Sequence, residues 1–320
     1  MSLLSVRDVS VRYGSGRHAI TAVDNVSLDL PAGEVVGLVG ESGSGKSTLA
    51  KAIVGLAELS GGAITLDGLA ITGTSRDTRQ RRRRVQMVFQ DPHSSLDPRM
   101  SIGDSMAEAL TVGGRLDRQQ RRVETDRLLE LVSLDPAVAG VLPRQLSGGQ
   151  LQRVSIARAL AAEPLVLIAD EVTSSLDVSV QGSILNVLRE IRAALGFTML
   201  FISHNVAVVR YLSDTIAVMY LGQIVEVGAT ERLIANPQHP YTKVLLDSVP
   251  GTFAGPPDAN RPIDGEPPDP HLPPDGCRFH PRCPVGPLVD KTRSVCTTHD
   301  PCVGAPTRQH RAACHFVRPA

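Results

Sequence analysis

Gly40-Glu41-Ser42-Gly43-Ser44-Gly45-Lys46-Ser47-Thr48 decides how the rest of this 320-residue chain is read. The stretch fits the pattern G-x-x-x-x-G-K-[ST]. The run before it, Val35-Val36-Gly37-Leu38-Val39, predicts a buried strand. The run after it, Thr48-Leu49-Ala50-Lys51-Ala52-Ile53-Val54, predicts the start of a helix. Strand, glycine-rich turn and helix together make a phosphate cradle. Gly40, Gly43 and Gly45 let the backbone wrap closely, with Ser42 between them, and aim N–H groups at phosphate oxygens. The helix N-terminus adds partial positive charge. Lys46 is placed to reach β- and γ-phosphates, and the Ser47 hydroxyl, followed by Thr48, to ligate Mg²⁺. The bland alternative is a Gly/Ser loop ending in a helix cap; the flanking strand and helix favour nucleotide binding.

Outward from the loop, strands and helices alternate. Val6, Val9, Val11 and then Val26, Leu28 and Leu30 mark two N-terminal strands. Ala63-Ile64-Thr65-Leu66 runs into an Asp67-Gly68 turn. Val85-Gln86-Met87-Val88-Phe89, Leu165-Val166-Leu167-Ile168-Ala169 and Thr198-Met199-Leu200-Phe201-Ile202 read as buried strands, and residues 91–162 as mostly helical. A helix from Val180 to Leu195 should stop at Gly196, and strands on either side of Leu221-Gly222 should form a hairpin. The arginine run between Arg79 and Arg84 reads as a solvated helix face, with a docking or nucleic-acid patch as the alternative. The expected class is α/β, with a largely parallel sheet and an N-terminal antiparallel subdomain.

Composition narrows the field. Hydrophobic residues make up 42% and charged residues 21%, as in a chain that buries a core. Aromatics are 3%, Trp is absent and the formal net charge is +0, which disfavours a nucleic-acid protein. No apolar run is long enough to span a bilayer, and the N-terminus has no signal-peptide pattern, so a cytosolic chain is expected. From Pro250 to Pro274 the composition shifts to Pro, Gly and Asp, which reads as an extended linker. All five cysteines lie between Cys277 and Cys314, a grouping that in a reducing compartment points to metal more than to disulfides.

Further motifs follow the phosphate loop. Asp170-Glu171 closes an apolar strand, where one carboxylate can hold Mg²⁺ and the next can orient or deprotonate a water. Leu146-Ser147-Gly148-Gly149-Gln150 opens a helical run, as a second anion site or a plain cap. With these on the page the chain resembles the ATP-binding subunit of an ATP-binding-cassette (ABC) transporter over roughly residues 3–250. Residues 40–48 match its P-loop, Gln90 its Q-loop, 146–150 its signature, 165–171 its Walker B strand, Ser175-Leu176-Asp177 its D-loop and His204 its switch histidine. Tyr13 matches the aromatic that stacks on adenine. Two departures are Val172, where the family commonly has Pro, and a long gap between the second and third tail cysteines.

The resemblance implies an ABC-type P-loop NTPase core with a helical subdomain at about 91–162 inside a nucleotide-binding domain of 1–250. A linker of 251–274 and a Cys/His-rich extension of 275–320 complete the expected division. It implies ATP held between one subunit's P-loop and the partner's Ser147, Gly148, Gly149 and Gln150. Glu171, His204 and Gln90 would serve the chemistry, and Ser47, Gln90 and Asp170 would hold Mg²⁺. Phe89-Gln90-Asp91-Pro92 with its following residues, Asn236-Pro237-Gln238-His239-Pro240-Tyr241-Thr242, and the tail from Gly276 resemble the oligopeptide/dipeptide importer branch. That branch implies a heterodimer with a related ATPase, two membrane permeases, an extracytoplasmic solute-binding protein and a place on the cytoplasmic face of the membrane, with no nucleic acid. Nickel, glutathione or another small solute is the alternative cargo, and a soluble ATPase acting on DNA or ribosomes the alternative class. Cys277, Cys283, Cys296 and Cys314 match the tail's four cysteines. A [4Fe–4S] cluster, Zn²⁺ or reduced structural thiols are the three readings, and Cys302 is extra.

Overall fold

The computed structural model describes residues 2–16, 19–113, 116–174, 176–248, 268–269, 272–301 and 310–317. Most of the stretch 251–274 lies outside them, and so do Ser175 and Cys302. The chain forms two compact units. One comprises residues 31–34 and 71–201, and the other 2–30, 35–70 and 202 onward.

The second unit holds the phosphate loop. Strands β1 (Ser2–Tyr13), β2 (Ile20–Pro31), β4 (Gly61–Leu66) and β5 (Leu69–Ala70) form a sheet in the order β2-β1-β4-β5, with β4 antiparallel to both its neighbours. Simple alternation cannot bury both Val6 and Val9, yet both are fully buried. A bulge resolves this. The β1–β4 register shifts between Arg7 and Ser10, and Asp8 takes φ +49°. One extra residue reverses the parity of the strand, so apolar side chains on both sides of it face the same core. Asn25, φ +50°, breaks β2 between buried Val23 and Val26 in the same way.

In the same unit β3 (Val35–Val39) is buried at every position and leads into α1 (Lys46–Ile53). It pairs in parallel with β9 (Thr215–Tyr220), Val36 opposite Thr215. Strand β10 (Gln223–Ala229) returns antiparallel to β9 through the expected Leu221-Gly222 turn, and β11 (Arg311–Ala312) adds to β10. Helices α7 (Val206–Leu212), α8 (Thr230–Ala235) and α9 (Pro240–Asp247) complete the unit.

The first unit carries β6 (Val85–Val88) parallel to β7 (Val166–Asp170), with β8 (Thr198–Ile202) beside β7. Its helices are α2 (Arg76–Arg82), α3 (Ile102–Gly113), α4 (Arg118–Leu131), α5 (Gly148–Leu160) and α6 (Val178–Leu195). Helix α2 carries most of the basic run, and its Arg82 turns back to the carbonyls of Ile71 and Gly73. Helix α6 ends as expected, with Gly196 at φ +68°. Among the described residues no helix is long and apolar enough to cross a membrane.

Candidate nucleotide-binding site

The phosphate loop turns off the end of β3 into α1. Gly45 sits at the helix N-cap with φ +102°, and a Cβ there would lie 2.2 Å from the Ala22 carbonyl oxygen. Only glycine satisfies both the left-handed backbone and that close approach. No side chain caps α1. Its first N–H groups therefore face the loop without an intrahelical acceptor, which is the chemistry of an anion site. The Lys46 ammonium, 4% exposed, donates to the carbonyls of Gly40 and Glu41, both at 2.8 Å, and to Ser44 Oγ at 3.3 Å. Phosphate oxygens would compete with these three acceptors for the same ammonium. Ser47 follows in the first turn, and exposed Tyr13 ends β1 in the same unit.

His204 lies in this unit just past β8, exposed. Its predecessor Ser203 donates its N–H to the Leu38 carbonyl at 3.2 Å, which fastens the His204 segment to the strand that carries the phosphate loop. Asn205 then caps α7 through the Ala207 N–H.

The other unit carries the remaining predicted residues. Asp170 ends β7 and is 5% exposed. Glu171 follows with φ +48°, a left-handed backbone that costs about 1 kcal/mol or more outside glycine. Ser174 holds that turn, donating both its N–H (3.0 Å) and its hydroxyl (2.9 Å) to the Glu171 carbonyl. Gln90 Nε2 in turn donates to Ser174 Oγ at 3.2 Å. Gln90 and the Asp170-Glu171 pair are thus joined through one serine that motif reading does not single out. Val172, where proline was the family expectation, is buried at 1% exposure. Its burial and the Ser174 bonds do the work of fixing the turn that a proline ring would otherwise share.

Ser147 is the N-cap of α5 in a complete capping box. Its Oγ accepts from the Gln150 N–H at 3.3 Å, and Gln150 Oε1 accepts from the Ser147 N–H at 2.9 Å. The cap reading is therefore realised, and it is compatible with an anion site. The hydroxyl keeps its proton to donate, and the Gly148 and Gly149 N–H groups have no intrahelical acceptor. A Cβ on Gly149 would lie 2.6 Å from Val180 Cγ1, so glycine is what lets α6 start so near α5. Asp177 caps α6 through the Val180 N–H, and the Ser179 hydroxyl, donating to it, holds its carboxyl below the usual carboxylate range. Within this unit Gln90 and Asp170 both offer the hard oxygen donors that Mg²⁺ takes.

The family described as ABC transporter matches residues 23–174, and that described as oligopeptide/dipeptide transporter, C-terminal region, matches residues 225–286. A protein of Brucella ovis named as a peptide import ATP-binding protein is 45% identical over 284 residues, 88% of this chain and 90% of its own length. This chain belongs to the ABC-transporter ATP-binding family. A Brucella abortus relative of the same name is 45% identical over 314 residues, 97% of this chain and 90% of its own. Among solved structures, a dimeric ATP-binding cassette in a post-hydrolysis state with ADP and Pi matches with TM-score 0.65 and 30% identity, covering 71% of this chain and 98% of that one. The cassette cbiO1 of Clostridium perfringens, part of the ABC transporter complex cbiONQ, matches with TM-score 0.66 and 29% identity, covering 73% and 91%.

In this ABC cassette the importer-branch motif at 236–242 has a structural meaning that its sequence hides. Glu226 on β10, fully buried, accepts from the N–H groups of Gln238 and His239, both at 2.8 Å. His239 Nδ1 accepts from the Tyr241 N–H and so caps α9. The Tyr241 hydroxyl then accepts from the Glu41 N–H, inside the phosphate loop, at 2.8 Å. Burial holds His239 down to about 4 and pushes the Tyr241 phenol above its usual range.

Cys277, Cys283, Cys296 and Cys314 line one pocket with His239, Phe279 and Phe316. Burial pushes the Cys277 thiol up to about 12 and the Cys283 thiol to about 11, so both are neutral at pH 7 unless a metal displaces their protons. Among the described residues no three His, Cys, Asp or Glu side chains are placed to hold a metal ion. Neither the Zn²⁺ nor the [4Fe–4S] expectation is therefore supported by the placement of the side chains.

Proposed function

We propose that this chain is the ATP-hydrolysing subunit that energises import of oligopeptides or dipeptides through an ABC transporter. What carries the reading is the uncapped, lysine-lined N-terminus of α1 at the end of β3 in a chain whose relatives are named for peptide import. ATP would bind with its phosphates against Gly40, Ser42, Gly43, Gly45, Lys46, Ser47 and Thr48, and its adenine against Tyr13. Lys46 would exchange its loop carbonyls for phosphate oxygens. Ser47, Gln90 and Asp170 would hold Mg²⁺, which neutralises phosphate charge when bound. Glu171 would take the proton of the attacking water, and His204 would contact the γ-phosphate. Ser147, Gly148, Gly149 and Gln150, with Asp177 beside them, would meet the nucleotide carried by a partner, whose own signature would complete the site here.

Division into a nucleotide-binding domain of 1–250, a linker of 251–274 and an extension of 275–320 belongs to this reading. So do a second, related ATPase, two membrane permeases, an extracytoplasmic solute-binding protein and a peripheral position on the cytoplasmic face of the membrane. Gentle solubilisation of membranes from cells with a tagged chain should recover two multispan permeases and a second ATPase. Ribosomes, DNA or nothing membrane-bound in their place would overturn the transport reading.

For the tail we propose a [4Fe–4S] cluster on Cys277, Cys283, Cys296 and Cys314. What supports the reading is that the four cysteines line one pocket, and thiolates are the ligands such clusters take. Iron and sulfide analysis after anaerobic purification tests this: about four irons per chain would support it, and a colourless, iron-free chain would overturn it and leave four reduced thiols.

A further inference from the structure

The cysteine-rich tail does more than close the sheet edge. Its Phe279 is 1% exposed and enters an aromatic cluster with Tyr220 and Tyr241, ring centroids 5.3 and 5.5 Å away. Three residues on, Arg282 reaches the phosphate loop itself. Its guanidinium donates to both carboxylate oxygens of Glu41, at 3.0 and 3.4 Å, and to the Tyr220 hydroxyl at 3.2 Å. The Arg282 side chain is 7% exposed and that of Glu41 30%, so the pair is well shielded. Glu41 is the second residue of the loop. Its N–H is held by Tyr241 and its carbonyl by Lys46. One loop residue is thus fixed at carboxylate, amide and carbonyl at once.

A second arginine works on the other flank. Arg278 pairs with Asp24 and donates to the Leu221 carbonyl. Leu221 takes φ +42°, and the next residue, Gly222, donates its N–H to the Ser44 carbonyl of the phosphate loop at 2.8 Å. The Asp24 N–H returns to the Gly222 carbonyl at 2.9 Å. The two arginines therefore brace the turn between β3 and α1 from both sides, one directly and one through the β9–β10 hairpin.

We infer that the tail is a positioning element for nucleotide binding, with Arg282 setting the phosphate loop through Glu41 and Arg278 through the Leu221-Gly222 turn. Neither arginine needs to touch nucleotide. Arg282 fixes the peptide whose carbonyl competes for the Lys46 ammonium, so it sets how readily Lys46 turns to phosphate. The inference rests on the ATP reading of the loop. A cassette whose tail is out of place would bind ATP weakly while turning over normally once saturated.

The test measures binding of a fluorescent ATP analogue with Mg²⁺ to the full chain, alongside thermal unfolding. Arg282→Ala and Glu41→Gln are each expected to weaken binding about tenfold, the size of one charge-assisted hydrogen bond. The double variant should be no weaker than either single one, because both remove one interaction. Arg282→Lys should recover part of the loss, and ATPase activity should shift in KM more than in kcat. Glu41→Gln leaves the tail's own residues intact, so a loss there cannot come from tail unfolding. Lys46→Ala is the control for the site. If Lys46→Ala abolishes binding while Arg282→Ala and Glu41→Gln bind as wild type, the positioning role is overturned and the nucleotide site stands. If Arg282→Ala weakens binding and Glu41→Gln does not, the ion pair is overturned as the route. If Lys46→Ala itself binds as wild type, the nucleotide site fails and the positioning role with it.

Discussion

Two helices in this molecule begin with a small-residue turn aimed at phosphate, and they begin differently. Helix α1 starts at a left-handed glycine with no side-chain cap, and its loop is held by residues far away in sequence: Tyr241, Arg282, and Gly222 through Ser44. Helix α5 starts at Ser147 inside a closed capping box whose partners lie three residues apart. The first end has no side-chain cap and depends on distant support. The second is finished locally and can be offered to a partner as a preformed surface. An uncapped helix end gains from an anion what a capped one already has from its own side chains. ATP binding should therefore be fragile at α1 and robust to changes at α5, while turnover should depend on both.

The largest expected effect separates binding from turnover. Glu171→Gln should lower ATP hydrolysis by about 10²- to 10⁴-fold and leave nucleotide binding by the α1 loop intact, read by paired turnover and binding assays. Loss of binding in that variant would show that the two ends are not separable.

Acid should strike the α1 side. His239 is buried neutral, with its pKa lowered to about 4 from 6.5 by desolvation. The unfolded chain binds that proton first, so stability is full above pH 6.5 and falls as pH drops toward 4, by up to about 3 kcal/mol. Denaturant unfolding at pH 7.5 and pH 5 should show the loss. His239→Asn, which can still cap α9, should flatten it. An unchanged pH slope in that variant would assign the acid sensitivity to other groups.

Gly45→Ala should cost about 1–3 kcal/mol and remove the rise in melting temperature that ATP gives the native chain. Gly149→Ala meets only a valine side chain and should leave that rise in place. The smallest effect belongs to Ser147→Ala, about 1 kcal/mol for a lost N-cap. Thermal unfolding should register it with ATP binding by the isolated chain unchanged. A large binding defect there would contradict the self-contained character of the α5 end.

What the sequence reveals follows the same division. The phosphate loop, β3, β8, the end of α6 at Gly196 and the β9–β10 hairpin are legible because their signals are local: apolar runs, glycine and fixed spacings. The parity breaks at Asp8 and Asn25 appear as irregular valine spacing once the bulges are known. By contrast the contacts of Glu41, Ser174, Tyr241 and Arg282 follow from no pattern, even where the residue lies in a motif. Arg282 meets Glu41 across 241 positions, and two-residue β11 exists only because β10 offers it an edge. Helices α7, α8 and α9 are too short for periodicity to show.

The interleaving of the two units has a consequence for how the molecule is made. Strand β3 leaves the ribosome early, but β9, with which it pairs from Val36 to Val39, emerges about 180 residues later. At about 5–20 residues per second that is a wait of about ten to forty seconds. During it the unit of residues 71–201, which lies between them in the chain, is synthesised from end to end. A nascent chain thus carries the phosphate loop long before it carries the tyrosine and arginines that shape it. On the inference that the tail positions the loop, full affinity for nucleotide arrives only once Arg278 and Arg282 have been made.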